Sequence, residues 1–313
     1  MKIGVIGSTK STEITLRMLM KHHLNVVGVL GFNPANKENV SGWVDLEGVS
    51  KELNIPYDGY KKINDSKHIN WMKEKHPDII FAVGFSQLLS KEWLDMPKLG
   101  CIGFHPTALP RGRGRAPLAW IVLEERRGAA SFFLMSEDAD DGPVFIQDFF
   151  ELEENDDARS VGDKISKSIE FALNQWLPLL KRGEWNPIPQ NNTLASWYGK
   201  RMPADGIIDW AQSASQVDLL IKASTHPHPG AYTFFKDTKV IIWESTIEKE
   251  MSIKGVVGRI LLSKDSKYLV QCGKGLLWIS KIDSSYMLNV GDKLGYNVEN
   301  EIYKINNKLS ELI

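Results

Sequence analysis

Hydrophobic and polar positions fall into two textures along the chain. In the first half, short branched apolar runs alternate with longer stretches whose apolar residues recur on one helical face. Residues 3–6 are apolar and end at Gly7-Ser8-Thr9, as a strand does where it runs into a turn and a helix. Residues 12–22 place Ile14, Leu16, Met18 and Leu19 for a helix with one packed face, and 24–30 read as a second buried strand. Residues 33–41 are polar with a proline and predict a loop. Residues 43–53 and 66–75 are helical in pattern, whereas 78–83 and 99–105 are strands, the latter stopped by Pro106. A Gly/Arg-rich loop then leads into a predicted helix over 116–127. Strands at 129–135 and 143–150 flank a polar loop, 136–142. The acidic run 151–157 suits the N-terminal end of a long amphipathic helix over 157–181.

Strand and helix alternating at this spacing predict an α/β fold, an open and mostly parallel sheet with helices on both faces, over residues 1–185. The texture then changes. Residues 186–204 hold three prolines and several asparagines, as a linker would. Beyond them come a short helix at 214–223 and strands at 231–235, 240–245, 255–262, 268–272 and 276–282. Short strands at that spacing predict a second, β-rich domain over 205–313, a small barrel or sheet.

Composition narrows the function classes. The 313 residues carry 38 Lys+Arg against 39 Asp+Glu, a net charge of −1, which excludes a generally basic nucleic-acid binder but not a local basic patch. Hydrophobics at 42% and charged residues at 25% are those of an ordinary globular chain. No apolar run approaches the roughly 20 residues of a membrane span, and the first ten residues lack the apolar stretch of a signal peptide, so a cytoplasmic location is expected. Cys101 and Cys272 form no CxxC pair; Cys101 sits inside a strand and is read as core. His226 and His228 lie in a proline-rich loop without ligand spacing, and no metal is expected.

Chemistry concentrates at two places. The first is Gly103-Phe104-His105-Pro106-Thr107-Ala108-Leu109-Pro110-Arg111-Gly112-Arg113-Gly114-Arg115-Ala116-Pro117. It puts a histidine at the carboxyl end of a buried strand, where open α/β sheets form their ligand crevice, beside three arginines. A histidine ending a strand next to a solvated basic loop is the plain alternative. The second is Asp138-Ala139-Asp140-Asp141-Gly142, which alone would be an acidic turn. A carboxylate beside a histidine suits a general base working near neutrality. Gly4-x-x-Gly7 is not GxGxxG, so a nicotinamide site lacks its fingerprint. Ser8, Thr9 and Lys10 follow the first strand, at the mouth of the expected crevice.

Taken together, the two stretches resemble the folate-dependent formyltransferases, the group that includes methionyl-tRNA formyltransferase and the sugar-nucleotide N-formyltransferases. The resemblance covers about residues 1–182. Arg113-Gly114-Arg115-Ala116-Pro117-Leu118-Ala119-Trp120 looks closest to members acting on nucleotide-linked amino sugars. Downstream, Tyr198-x-Lys200-Arg201-x-Pro203-x-Asp205-Gly206-x-Ile208-Asp209-Trp210 and Pro229-Gly230-Ala231 resemble the start of the family's small C-terminal domain. The resemblance implies a Rossmann-like catalytic domain followed by a β-barrel-like (OB-like) domain. It implies formyl transfer from N10-formyltetrahydrofolate, as co-substrate, to a primary amine. His105 would be the general acid/base, and Asp140 would hold its ring. Gln87, Leu88 and Leu89, with the loop Ser136, Glu137, Asp138, Ala139 and Asp140, would bind the folate, aided by Arg115. Ser8, Thr9, Lys10, Arg111 and Arg113 would face the acceptor. Sugar-acting members are often dimers, so a homodimer is an expected partner state.

One position departs from the family. An asparagine two residues before the histidine normally stabilises the oxyanion, and here Gly103 stands in its place. Losing one such donor typically costs about 10²–10³ in rate. Another side chain or water replaces it, or protonated His105 supplies the donor, or the chain is a weakly active folate- or nucleotide-binding relative. Replacement is favoured because His105, Arg115 and Asp140 remain.

Charge distribution bears on the acceptor. Residues 205–313 contain 13 Lys+Arg and 13 Asp+Glu, whereas a tRNA-directed domain should carry excess cations. A nucleotide-linked 4-amino sugar of cell-surface polysaccharide biosynthesis is therefore the expected acceptor. Initiator methionyl-tRNA is the alternative.

Overall fold

The computed structural model describes residues 1–34, 42–295 and 298–311. The predicted loop at 33–41 lies mostly outside them. Two compact units divide the chain, Met1–Arg201 and Met202–Ile313.

The first unit opens with β1 (Lys2–Gly7), α1 (Lys10–Lys21), β2 (Asn25–Phe32), α2 (Leu46–Glu52), β3 (Tyr57–Tyr60) and α3 (Ser66–Lys73). It continues with β4 (Ile79–Val83), α4 (Lys91–Asp95), β5 (Cys101–His105), the two-residue β6 (Arg113–Gly114), α5 (Pro117–Trp120), β7 (Arg127–Leu134), β8 (Val144–Glu151), α6 (Ala158–Lys181) and β9 (Trp197–Tyr198). A seven-stranded sheet runs β3-β2-β1-β4-β5-β7-β8, parallel from β3 to β5 and antiparallel at β7 and β8. The mostly parallel α/β reading therefore holds, with an antiparallel margin on the side of β5.

Side chains alternate across the central strands and bury both faces. On one face Phe81 and Phe132 meet Trp176 of α6, with ring centroids 6.0 and 6.1 Å away. On the other, Ile6, Ile80 and Cys101 pack with Met72 of α3 and Trp93 of α4. Asp157 caps α6 by accepting from the amides of Arg159 and Ser160, each at 2.9 Å. Burial pushes the thiol of Cys101 up to about 12, as expected of a core cysteine.

The structure departs from the sequence reading in identifiable ways. Strand β3 has a single buried side chain, Tyr60, so its pattern carries no apolar run. Helix α4 spans five residues and buries only Trp93, too little for periodicity. The helix expected over 116–127 is α helical only through Trp120 and continues as a π-helical turn, Ile121–Glu125, ending at Arg126 in the left-handed region. The segment expected as linker is drawn onto the first unit: Ile188 exchanges two 2.8 Å backbone hydrogen bonds with Val144, and β9 pairs with β6.

The second unit contains α7 (Ala214–Ser224), β10 (Ala231–Phe235), β11 (Thr238–Glu248), β12 (Ile260–Lys264), β13 (Lys267–Gln271), β14 (Leu276–Asp283) and α8 (Val298–Ser310). Its antiparallel sheet runs β10-β11-β14-β13-β12 around a core that includes Val240, Ile242, Val270, Leu277 and Ile279. The two edges are bridged by an irregular segment rather than a strand. The Leu294 amide donates to Gly258 and the Gly295 amide to Phe234. The strand expected at 255–262 begins only at Ile260 and runs to a two-residue hairpin, Asp265-Ser266, both at positive φ. No glycine marked that turn in the sequence.

Candidate active site

His105 ends β5 and is 6% exposed. Its Nε2 lies 2.9 Å from the carbonyl oxygen of Gly112. A carbonyl only accepts, so Nε2 carries the hydrogen and the neutral ring has its lone pair on Nδ1. Nδ1 faces Asp140 Oδ2 at 3.6 Å, an ion-pair distance but longer than a hydrogen bond. The ring is thus fixed by Gly112, and Asp140 is a charged neighbour to Nδ1. This sharpens the expected role of Asp140: it does not itself hold the ring by a hydrogen bond.

Asp140 sits in the left-handed region at φ +57. Such a conformation costs a non-glycine residue about 1 kcal/mol and persists only where surroundings fix it. Here they do. The Gly114 amide donates to Asp140 Oδ2 at 2.9 Å. Gln190 Nε2 donates to the Asp140 carbonyl at 2.9 Å and to the Gly142 carbonyl at 2.7 Å.

Arg113, expected to face the acceptor, instead turns inward and is 2% exposed. Its Nη2 donates to Gln190 Oε1 at 2.8 Å and to Asn192 Oδ1 at 2.7 Å, and its guanidinium lies 5.5 Å from the Trp197 ring. That placement removes it from the acceptor-binding set. Arg111 pairs with Glu125 at 3.3 Å, while Arg115 stands exposed and uses its amide to bond the Tyr198 carbonyl. Trp120 stacks on Tyr198 at 4.9 Å, and the Tyr198 hydroxyl donates to Glu125. Partial burial, together with that hydrogen bond, pushes the Tyr198 phenol up to about 12.

At Gly103 the volume of a side chain is already filled. A Cβ there would meet the Phe133 ring at 2.6 Å and Met135 Cγ at 3.0 Å. Phe133 pairs directly across from Gly103 on β7 and is 2% exposed. What occupies the place of the family asparagine is therefore an apolar ring. A polar replacement from β7 at this point is not what the sheet provides.

The remaining expected residues lie around this centre to different degrees. Ser8 is buried, its hydroxyl donating to the Gly84 carbonyl at 3.0 Å, and the Thr9 amide donates to Thr12. Lys10 is turned to Glu13 at 2.8 Å on its own helix. Gln87 spans to the neighbouring loop, donating to the Lys61 carbonyl and accepting from the Ile63 amide. The Leu88 carbonyl accepts from Asn64, leaving an apolar side chain 74% exposed at the loop tip, a surface able to cover a ring. Leu89, partly buried, packs against the core cluster that includes Trp93. Ser136 donates to Asp141 and to the Asp138 carbonyl, closing the loop that carries Ala139 and Asp140. Glu137 pairs with Lys91. A cleft of about 560 Å³ between α4, Leu99-Gly100 and Leu134–Glu137 opens at the amino end of β5. It contains Ser136 and Glu137 but not His105. Among the described residues, no group of three or more His, Cys, Asp or Glu side chains is arranged to hold a metal.

Sequence reasoning missed Gln190, Asn192 and Ser196, whose hydroxyl accepts from the Gly112 amide at 2.8 Å. They lie among prolines and asparagines, and nothing in that composition distinguishes a docked strap from a linker.

The formyl transferase profile matches residues 1–177, and that of the formyl transferase C-terminal domain matches residues 200–289. The bifunctional polymyxin resistance protein ArnA of Wigglesworthia glossinidia brevipalpis is 32% identical over 251 residues, 80% of this chain and 38% of that protein. The chain thus spans well under half of that relative's length. Methionyl-tRNA formyltransferase of Alkaliphilus oremlandii (strain OhILAs) is 30% identical over 312 residues, covering 98% of this chain and 99% of that one. Among solved structures, the N-formyltransferase from Helicobacter canadensis, in complex with folinic acid and dTDP-3-aminofucose, matches with a TM-score of 0.68 at 15% identity, covering 90% of this chain and 100% of that one. HypX from Aquifex aeolicus, in complex with tetrahydrofolic acid, matches with a TM-score of 0.64 at 18% identity, covering 91% of this chain and 44% of that one. These two structural likenesses speak to the fold. With both profiles matched in their order along the sequence, the chain belongs to the formyl transferase family.

Proposed function

We propose that the chain transfers a formyl group from N10-formyltetrahydrofolate to the primary amine of a nucleotide-linked 4-amino sugar, in cell-surface polysaccharide biosynthesis. The observation that carries the transfer chemistry is His105 at the carboxyl end of β5, with Nε2 tied to Gly112 and Nδ1 facing Asp140. The amine nitrogen attacks the formyl carbon and forms the new C–N bond. Nδ1 takes the amine proton, and Asp140 stabilises the resulting imidazolium. The imidazolium Nδ1–H then donates to the oxyanion, a part that no group at Gly103 plays. It finally delivers its proton to N10 as the C–N10 bond breaks. The rest of the catalysis is positioning of the two reactants. The exposed Leu88 side chain and the loop Ser136–Asp140 are where we place the folate.

The balanced charge of residues 205–313 favours a small phosphorylated acceptor. A relative 30% identical across nearly the whole chain is a methionyl-tRNA formyltransferase, and it keeps initiator methionyl-tRNA as the second reading. The decisive assay offers N10-formyltetrahydrofolate with a panel of amino-sugar nucleotides and charged initiator tRNA. Turnover on sugars supports this reading, turnover on tRNA alone replaces its acceptor, and folate binding without turnover on any amine overturns it. His105→Gln should lower kcat by about 10²–10⁴, the usual contribution of a general acid/base.

A further inference from the structure

We propose that Gln190, in the strap that follows α6, is a positioning residue that sets Asp140 against His105. The inference rests on the transfer chemistry proposed above, because Asp140 matters only if His105 moves protons.

The geometry leaves Gln190 with no spare capacity. Its two amide hydrogens go to the carbonyls of Asp140 and Gly142, and its oxygen receives Nη2 of Arg113 at 2.8 Å. Those two carbonyls bracket the turn in which Asp140 holds φ +57. Gly142 is itself pressed onto β7, where a Cβ would meet the Leu134 carbonyl, so the far end of the turn is fixed. Gln190 fixes the near end. Arg113 in turn orients Gln190, and Asn192 takes a second contact from the same Nη2 nitrogen.

The strap closes the same circuit from the other side. The Arg113 amide donates to the Ser196 carbonyl, and the Ser196 hydroxyl accepts from the Gly112 amide. Gly112 presents its carbonyl to His105 Nε2, and Gly114 presents its amide to Asp140 Oδ2. One short ribbon therefore holds both members of the pair, and residues 190–198 hold the ribbon. The strap and the site thus share one hydrogen-bond network.

The informative variant is Gln190→Glu. A glutamate keeps an acceptor for Arg113 and so keeps the strap docked, but it removes both donors to the Asp140 turn. Two backbone amides report separately. The Gly114 amide, bonded to Asp140, should exchange with solvent about fivefold faster, the effect of weakening one hydrogen bond worth about 1 kcal/mol. The Arg115 amide, bonded to the Tyr198 carbonyl, should exchange at the wild-type rate. In turnover, kcat should fall about tenfold while KM for folate and acceptor stays within twofold. Unchanged Gly114 exchange overturns the proposal, as does equal acceleration at Gly114 and Arg115, which marks a merely structural role. An exchange response in a protein that transfers no formyl group leaves the positioning intact and overturns the transfer reading instead.

Discussion

Restoring the family asparagine at Gly103 should damage this protein rather than improve it. Gly103 lies in the middle of β5, opposite Phe133 of β7. A Cβ there would stand 2.6 Å from Phe133 Cζ, 3.0 Å from Phe133 Cε1 and 3.0 Å from Met135 Cγ. The first distance is one that real Cβ atoms essentially never show, and the ring that causes it is buried, 2% exposed, so it has no solvent to swing into. Overpacking of this kind costs typically about 1–3 kcal/mol, and the asparagine amide adds an unpaired polar group against an aromatic ring at about 1–3 kcal/mol. We expect Gly103→Asn to lose about 3 kcal/mol, a fall in the melting temperature of the first unit by roughly 6–12 °C. A double-mutant cycle with Phe133→Ala isolates the clash. Phe133→Ala alone should cost about 3–5 kcal/mol by opening a cavity. The double variant should be more stable than the sum of the singles by about 1–2 kcal/mol, because the asparagine enters the volume the ring leaves. Chemical denaturation of all four proteins, followed by far-ultraviolet circular dichroism, measures the coupling. A loss below about 0.5 kcal/mol for Gly103→Asn, or strict additivity, would refute the claim that Phe133 fills the asparagine site.

Two further outcomes follow from buried charges. Arg113→Met should leave Gln190 Oε1 and Asn192 Oδ1 without their donor, at about 1–3 kcal/mol each, and free the strap; limited proteolysis within residues 186–201 should accelerate more than tenfold, and an unchanged cleavage rate would count against the docked strap. Burial raises the Asp156 carboxyl, but hydrogen bonds from Lys164, Ser160 and the Glu153 amide outweigh it and hold the group below the usual carboxylate range. A carboxylate depressed in the folded state stabilises above its unfolded value near ~3.9 and loses that stabilisation as pH falls through the folded value. The stability gap between wild type and Asp156→Asn should thus be full at pH 7 and shrink below about pH 4, and a pH-independent gap in urea titrations would contradict it.

The parts of the fold that were legible in the sequence were those whose physics is local. Branched apolar runs gave β1, β2 and β4, and the acidic run ending in Asp157 marked the cap of α6. His105 stood out because it ends a strand beside a run of glycines, prolines and arginines, whereas Asp140 lies in what alone reads as an acidic turn and was singled out by the resemblance to the formyltransferases. What escaped depends on contacts between distant segments. Strand β3 is recognisable only from its neighbour β2, and the β12–β13 hairpin only from two non-glycine residues at positive φ. Gly103 was read as a missing donor, but its meaning lies in Phe133, thirty residues on and on another strand. Gln190 escaped for the same reason: its partners are the backbone of a turn about fifty residues earlier and a buried arginine.

The arginine run shows how the same limit affects the choice of acceptor. Counted along the sequence, Arg111, Arg113 and Arg115 together with Lys200 and Arg201 look like a basic entrance. In the folded first unit most of that charge is already engaged. Arg111 pairs with Glu125, Arg113 is interior, and Arg201 lies over the Trp120 ring at 5.4 Å. Arg115 and Lys200 are exposed, and so is Arg111 despite its surface pairing with Glu125. A polyanion gains affinity by neutralising many phosphates, each released counterion adding to the total. Three exposed cations, one of them already paired with Glu125, offer that mode little, whereas a single diphosphate is satisfied by one or two such contacts. The case for a small acceptor therefore rests on how the cations are used, a stronger ground than the near-cancellation of charge over the whole chain.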